Sequence, residues 1–401
     1  MKKTFSGNFT QQEPLPAASI KAALDVMRSG RLHRYNVADG EQSEAALLEA
    51  EFAAATGAKY CLAVASGGYA MTTALRAAGA VAGDSILTNA FTLAPVPGAI
   101  AALGAQPVFV EVTKRLVIDL EDLLQKINDS GAKLLLLSHM RGHIADMDAL
   151  MTICDQAGVQ VIEDCAHTMG AHWDGVPSGR HGLAACYSTQ TYKHLNSGEG
   201  GLIISDSADL MARATMLSGS YMLYGRHGAG PGPREFADIR LDTPNCSGRM
   251  DNLRAAVLRP QLQALPDQCA AWNARYNRVE AGVLYTPGLN IVLRYPREDF
   301  VGSSIQFLLP EFSPDMIKTL LARCADRGVE LKWFGADQPT GFTSRHDSWR
   351  YAPRQALPQT DRILAVLIDM RLPLTFSLQD CDVLAEIIKE EVSRLFQSLG
   401  R

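Results

Sequence analysis

The chain has 401 residues, 47% of them hydrophobic and 20% charged, so it can bury a large core and lacks the composition of a disordered segment. Lys+Arg total 38 against 43 Asp+Glu, a net charge of −5 that leaves no electrostatic footprint for nucleic acid or an anionic membrane. The length predicts two or three domains.

The eight cysteines, at 61, 154, 165, 186, 246, 269, 324 and 381, include no pair closer than eleven residues, which excludes a CxxC knuckle or redox pair. Scattered single thiols fit a reducing compartment. The opening MKKTFSGNFTQQEPLP has two lysines with no apolar run behind them, so no signal peptide is expected. Residues 85–110 carry no charge, but Pro95, Pro97, Pro107, Asn89 and Gln106 suit a lipid-exposed helix poorly. The expectation is a cytoplasmic protein with no membrane segment and no nucleic-acid partner.

Taken in chain order, the hydrophobic pattern switches between a period of two and one near 3.6. YCLAVAS (60–66) reads as a strand and GYAMTTALRAAGA (68–80) as a small-residue helix. SILTN (85–89) and QPVFVEV (106–112) read as strands joined through a short helix in APVPGAIAALG. KLLLLSHM (133–140) is a buried strand, ADMDALMTICDQAG (145–158) an amphipathic helix and VQVIED (159–164) a strand; AACYST (184–189) and GLIISD (201–206) follow as two more strands. Such alternation predicts an α/β fold with a mostly parallel central sheet and helices on both faces. Residues 218–248, rich in Gly, Pro and charge, are too long for an ordinary connection and mark a functional loop. A helix interrupted or kinked at Pro260 is expected from about 250 to 285. The strand SIQFLLP and the helices SPDMIKTLLARCADRG and CDVLAEIIKEEVSRLFQ then suggest a smaller C-terminal α+β domain, which places the division at 1–255 and 256–401.

Chemistry concentrates at predicted strand ends, where open α/β sheets gather ligands. In YSTQTYKHLNSGEGG (187–201), Lys193 lies between two strands and precedes a glycine turn that brings backbone close to a neighbour. Asp164 ends the strand VQVIED, and Ser66-Gly67-Gly68 ends a strand and opens a helix whose N–H groups suit a phosphate. A phosphate cradle, a strand-end carboxylate and a lysine nucleophile together suggest pyridoxal phosphate, which needs an amine for its Schiff base and an acid for its pyridinium nitrogen.

The chain resembles the DegT/DnrJ/EryC1/StrS aminotransferases, fold-type I pyridoxal-phosphate enzymes, along nearly its whole length. The resemblance rests on SGRLHRYN (29–36), LLEAEFAAATGAKYCLAVASGG (47–68), residues 83–112, SHMRGHIADMDAL (138–150), IEDCAHTMGAHWDG (162–175), YSTQTYKHLNSGEGG and SGRMDNLRAAVLRPQL (247–262). It implies that Lys193 is the Schiff-base lysine and Asp164 the partner of the ring nitrogen. His167 falls near the ring hydroxyl, and Ser188, Ser66 and Gly67 fall at the phosphate. Three positions depart from the family pattern: Gly68 replaces a phosphate-binding Thr, Leu93 replaces the aromatic that stacks on the ring (Phe91 lies two residues away), and Ser247 replaces an Asn that reaches the partner subunit's phosphate. Also implied are a homodimer with shared active sites and an amino donor such as glutamate or glutamine. The implied acceptor is a keto or aldehyde sugar, nucleotide-linked or, in the branch that VMRSGRLHRYN and SHMRGHIADMDAL resemble, a 3-deoxy-octulosonate-type sugar acid.

Choice of acceptor then falls to residues outside the cofactor shell, with His33-Arg34-Tyr35-Asn36, Tyr224, Arg226, His227 and Lys332-Trp333-Phe334 as candidates; Arg34, Arg226 and Lys332 are the cations suited to an anionic sugar. A metal site is not expected. His139 and His143 have zinc-like i,i+4 spacing, but Gly142 and the preceding strand deny them a helix. Cys165 reads as a small buried thiol, and GAGPGP (228–233) as a flexible loop rather than a dinucleotide motif. A non-catalytic, cofactor-binding sensor is the competing class.

Overall fold

The computed structural model describes residues 3–399. In chain order it runs α1 (Ala17–Ser29), α2 (Glu44–Thr56), β1 (Tyr60–Val64), α3 (Gly67–Ala77), β2 (Ser85–Asn89), α4 (Pro95–Ala101), β3 (Gln106–Val110), α5 (Leu120–Ser130) and β4 (Leu134–Ser138). It continues with α6 (Met147–Ala157), β5 (Gln160–Asp164), β6 (His172–Trp173), β7 (Val176–Pro177), β8 (Ala184–Ser188), β9 (Gly201–Ser205), α7 (Ala208–Ser218) and α8 (Asn252–Val283). The last part comprises β10 (Asn290–Ile291), β11 (Glu298–Asp299), β12 (Ser304–Leu308), α9 (Pro314–Ala325), β13 (Lys332–Trp333), α10 (Pro358–Leu364), β14 (Leu367–Arg371) and α11 (Leu378–Gln397).

The central sheet has seven strands in the order β1-β9-β8-β5-β4-β2-β3. Pairings among β3, β2, β4, β5 and β8 are parallel, and β9 runs antiparallel to both its neighbours. The mostly parallel α/β sheet expected from the apolar runs is therefore present. Both faces are buried, one among residues such as Leu87, Leu135 and Tyr187 and the other among Leu62, Leu75 and Ile203. Helices start where short polar side chains take the first free amides: Ser66 accepts from Tyr69 N, Asp119 from Glu121 N and Asp122 N, and Asp146 from Ala149 N.

A second sheet, β10-β12-β14-β13, builds the C-terminal α+β part with α9 and α11. Helix α8 runs unbroken through Pro260 and Pro266, so of the two outcomes expected at Pro260 the interruption is absent. Its packing outweighs the two lost amide donors: Leu258 and Leu265 join the large core, while Tyr276, Val279 and Val283 join the smaller one. Position 255/256 thus falls inside α8. Phe5 and Phe9, at the other end of the chain, pack edge-to-face on Phe376 in the C-terminal core. No helix among the described residues is long and apolar enough to cross a membrane.

Candidate active site

The parallel strands deliver their carboxyl ends to one place. Ser138 ends β4 and Asp164 ends β5, directly opposite each other in register, and Ser188 ends β8. Ser138 Oγ donates to Asp164 Oδ2 at 2.9 Å and accepts from Thr92 Oγ1 at 2.9 Å, while Asn89 Oδ1 accepts from Ser138 N at 2.9 Å. Asp164 Oδ1 accepts from Ala166 N at 3.1 Å. The carboxylate is buried and fixed by residues from β2, β4 and its own turn.

Lys193 sits in the turn after β8, its amide donating to Gln190 O at 2.8 Å. The glycine turn that follows makes a tight approach: a Cβ at Gly201 would lie 2.4 Å from Ser66 O. Lys193 Nζ and His167 Nε2 are 2.8 Å apart. Burial lowers the lysine, Asp164 partly opposes that, and Arg141 and Arg371 add to it, so the amine is pulled down to about 8. Burial, then the Lys193 charge and the same two arginines, push His167 well below its usual value, so its imidazole is neutral at pH 7.

A small cavity of about 70 Å³ is walled by Gly67, Gly68, Leu93, Ser138, Asp164, His167, Ser188 and Lys193. It opens beside a larger one of about 420 Å³, which Ser66, Gly67, Gly68, Leu93, Ser188 and Lys193 also border. Among the residues anticipated for the cofactor, all but Ser247 therefore converge. Ser247 lies in the exposed loop at φ 51 and turns to Asn245, its Oγ donating to Asn245 Oδ1 at 3.2 Å. Phe91 packs edge-to-face on Phe334, with centroids 5.0 Å apart, and leaves Leu93 alone at the cavity wall.

These residues fit pyridoxal phosphate. A Cβ at Gly67 would approach Ser188 Cβ to 2.8 Å, so the first turn of α3 is cut back to glycine where Ser188 faces it. The first-turn amides of an 11-residue helix have no intrahelical acceptor, and Ser188 adds a hydroxyl beside them. A carboxylate for a ring nitrogen and an amine of lowered basicity border the same space.

The structure places most of the acceptor-side candidates away from these two cavities. Arg34 is 1% exposed and locked to Glu49 by two hydrogen bonds of 2.9 Å, and it lines neither of these cavities. His227 lies in the same network, with Tyr35 Oη at 2.8 Å, and Arg226 donates to Tyr35 O. Tyr224 stacks on Phe236 at 4.1 Å. Trp333 Nε1 donates to Ala365 O at 2.9 Å, and Trp333 and Phe334 are core residues. Lys332 alone of these candidates borders the larger cavity. Two further cations, Arg141 and Arg371, line it as well. Arg141 stands in the HMRGH segment first weighed as a metal motif; Arg371 ends β14 with no local signal.

His139 and His143 part company. His139 pairs with Glu163 at 3.0 Å and His143 with Gln306 at 2.8 Å. His139, Glu163 and Cys165 lie within 4.8 Å of one another. Glu163 already accepts from His139 and from the amides of Gly179, His181 and Gly182. Burial raises its carboxyl, but the His139 and His181 side chains more than offset this and hold it well below the usual carboxylate range.

A lysine between a strand-end aspartate and a phosphate cradle defines a pyridoxal-phosphate type of site. The chain belongs to the DegT/DnrJ/EryC1/StrS aminotransferase family, which residues 17–389 match. It is 31% identical over 261 residues to L-glutamine:scyllo-inosose aminotransferase of Streptomyces griseus, covering 65% of this chain and 60% of that protein. It is 31% identical to UDP-2-acetamido-2-deoxy-3-oxo-D-glucuronate aminotransferase of Pseudomonas aeruginosa over 56% of this chain and 59% of that one. The matched stretches thus span about three fifths of these relatives' length. The crystal structure of 3-amino-5-hydroxybenzoic acid synthase superposes with a TM-score of 0.81 at 25% identity, over 98% of this chain and 100% of that one.

Proposed function

We propose that the chain is a pyridoxal-phosphate-dependent aminotransferase that moves an amino group from glutamine or glutamate to a keto or aldehyde sugar. The observation that carries this is the Lys193 amine, pulled down to about 8, in a cavity it shares with Asp164 and the Gly67–Ser188 cradle. Bound pyridoxal phosphate supplies an electrophilic carbon for amines and an electron sink for the carbanion. Asp164, held by Ser138 and the Ala166 amide, is the group that keeps the ring nitrogen protonated. Nζ of Lys193 takes the proton from the substrate carbon and returns it, as general base and then acid, with neutral His167 holding the amine in place. Donor and acceptor use the same space in turn, which is ping-pong chemistry.

The relatives' names support a sugar or cyclitol ketone as acceptor. Two finer forms fit the proposal: a nucleotide-linked keto sugar and a 3-deoxy-octulosonate-type sugar acid. Ser247 and the exposed Tyr221, Met222 and Leu241 of the 218–248 loop fit a homodimer in which that loop reaches the partner's cofactor. Borohydride reduction of the holoprotein, followed by peptide mass spectrometry, tests the core of the reading. The reduced cofactor is expected on Lys193, and recovery on another lysine rejects the assignment. Bleaching of the cofactor absorbance by glutamate or glutamine separates an aminotransferase from a sensor that only binds.

A further inference from the structure

We propose that His194 is a positioning residue for Lys193: it fastens the backbone beside the lysine to the same turn whose His167 meets the lysine amine, so that Lys193 is aimed from both ends. The inference rests on the aminotransferase reading and adds to it the residue that keeps the general base on target.

The links close a ring. Lys193 Nζ and His167 Nε2 are 2.8 Å apart. Two residues further along that turn, Met169 O accepts from His194 Nδ1 at 2.8 Å, and the peptide bond between residues 193 and 194 completes the circuit. The other donor at Met169 O is the weak Cys269 thiol, 4.0 Å away. A carbonyl only accepts, so the imidazole carries its proton on Nδ1. Burial pulls His194 down, the bond to Met169 opposes this and the Lys193 charge adds to it, leaving the group at about 4 and neutral at pH 7. Its Nε2 is then an acceptor, and Ser303 Oγ donates to it at 3.1 Å.

His194 thus touches three parts of the molecule. Met169 lies on the turn after β5, Trp272 belongs to α8 with its ring 4.8 Å from the imidazole, and Ser303 immediately precedes β12 of the second sheet. Ser303 is itself fixed, since its carbonyl accepts from Leu372 N at 3.0 Å. The residues that follow are gripped as firmly. Leu195 is buried in the large core, Gln261 Oε1 accepts from Asn196 N at 2.9 Å, and Gln261 Nε2 donates to Asn196 O at 2.8 Å. The side chain of Lys193 is therefore the part of this loop left to swing.

Packing alone does not hold it. His167, Lys193, His194, Trp272 and Ser303 border a cavity of about 130 Å³, and side chains beside open space keep rotamer freedom, a long lysine most of all. When the donor's amine takes the place of Lys193 on the cofactor, Nζ must stay within reach of the substrate carbon to move its proton. A misplacement of about 1 Å at such a point can cost about 100-fold in rate. A ring kept here for packing alone could be phenylalanine beside Trp272 and Leu195. The imidazole adds one bond to the His167 turn and one to the second sheet, and the first of these closes the ring through the amine.

The two bonds can be separated. The side-chain amide of Asn stands where Nδ1 stands, and that of Gln where Nε2 stands, so His194→Asn keeps the link to Met169 O and His194→Gln the link to Ser303. The test follows bleaching of the holoenzyme's cofactor absorbance by glutamate and glutamine, each with hydrogen or deuterium on the α-carbon. His194→Phe is expected to lower the maximal bleaching rate about 30-fold, with the donor concentration for half-maximal rate within about threefold of the parent and a larger isotope effect. His194→Asn should recover to within about fivefold of the parent, His194→Gln should stay near His194→Phe, and Ser303→Ala should stay within about threefold of the parent. A maximal rate and isotope effect in His194→Phe equal to the parent's, per bound cofactor, overturn the proposal even if melting temperature falls. So does rescue by Gln rather than Asn. If His194→Phe does not fold, the comparison of Asn with Gln decides alone. Failure of both donors to bleach the parent rejects the aminotransferase reading instead. The rate at which each apoprotein captures pyridoxal phosphate, which needs only a well-aimed Lys193, then decides the proposal by the same order of variants.

Discussion

Arg34 and Arg141 are both buried arginines, 1% and 8% exposed, and the molecule treats them in opposite ways. Arg34 meets Glu49 fork to fork, with both bonds at 2.9 Å, and Glu49 accepts further from Ala63 N. His227 and Tyr35 close the network, and only Nε of Arg34 lacks a partner. Arg141 has a counterion at the same distance but misaligned, two unfilled nitrogens and an open cavity in front of it. Burial alone therefore does not separate a fully paired charge from one with unfilled donors. The completeness of its pairing does.

The largest effect that sharpens this contrast is expected at Asp164, another buried charge facing the cavity. Asp164→Asn keeps the shape and the bond from Ser138, and removes the charge proposed to face the ring nitrogen. Turnover should fall by about 10²- to 10⁴-fold, the range of a lost proton-handling group, while cofactor binding and melting temperature stay close to those of the parent. A large stability loss with normal turnover in the survivors would move Asp164 to the structural side.

Next in size is a paired substitution. Arg34→Gln leaves the Glu49 carboxylate buried without its fork, and urea unfolding should show a loss of about 3–5 kcal/mol. Arg141→Asn places a residue that tolerates the left-handed region where φ is 56, and it removes unfilled donors; a change within about 1 kcal/mol is expected. Equal losses in the two variants would break the comparison.

How far the sequence alone revealed these roles follows from the range over which each is decided. Buried parallel strands read as apolar runs, and SILTN, QVIED and GLIIS stand where the runs place them. Lys193, Asp164, Ser188 and Ser66–Gly68 were legible because each ends or follows such a strand. Helix α8 crosses Pro260 without a break because contacts with two cores, not local propensity, decide its length. Arg34 looked free because its partner Glu49 is fifteen residues away and their pairing needs the fold of α2 on β1. Arg371 was invisible because β14 meets the cavity only through the topology of the second sheet. Local chemistry was readable; pairing between distant segments was not.

A smaller effect comes from acid. Burial raises Glu49, but Arg34 and His227 more than offset it and hold the carboxyl down to about 2, against a usual 4.5. The folded state therefore releases this proton more readily than the unfolded one. The stabilisation is complete above about pH 4.5 and is lost as the pH falls toward 2. Unfolding midpoints across that window should drop in the parent and stay flatter in Arg34→Gln.

The smallest expected change tests whether the incomplete pairing of Arg141 reaches Lys193. Burial holds the Lys193 amine down to about 8, with Arg141 and Arg371 adding to it against Asp164. A lowered amine is half neutral near pH 8 and reacts as the neutral form, so the rate at which the apoprotein captures pyridoxal phosphate should climb through that pH. Removing the Arg141 charge takes away one of the influences that lower it. In Arg141→Gln the climb should move to higher pH, with the plateau rate little changed, because the nucleophile itself is intact. Arg34→Gln, whose charge is neutralised by Glu49 and lies outside the cavity, should leave the midpoint where it is. A shift with Arg34→Gln but none with Arg141→Gln would reverse the assignment of the two arginines, and stopped-flow capture rates between pH 6 and 10 decide between them.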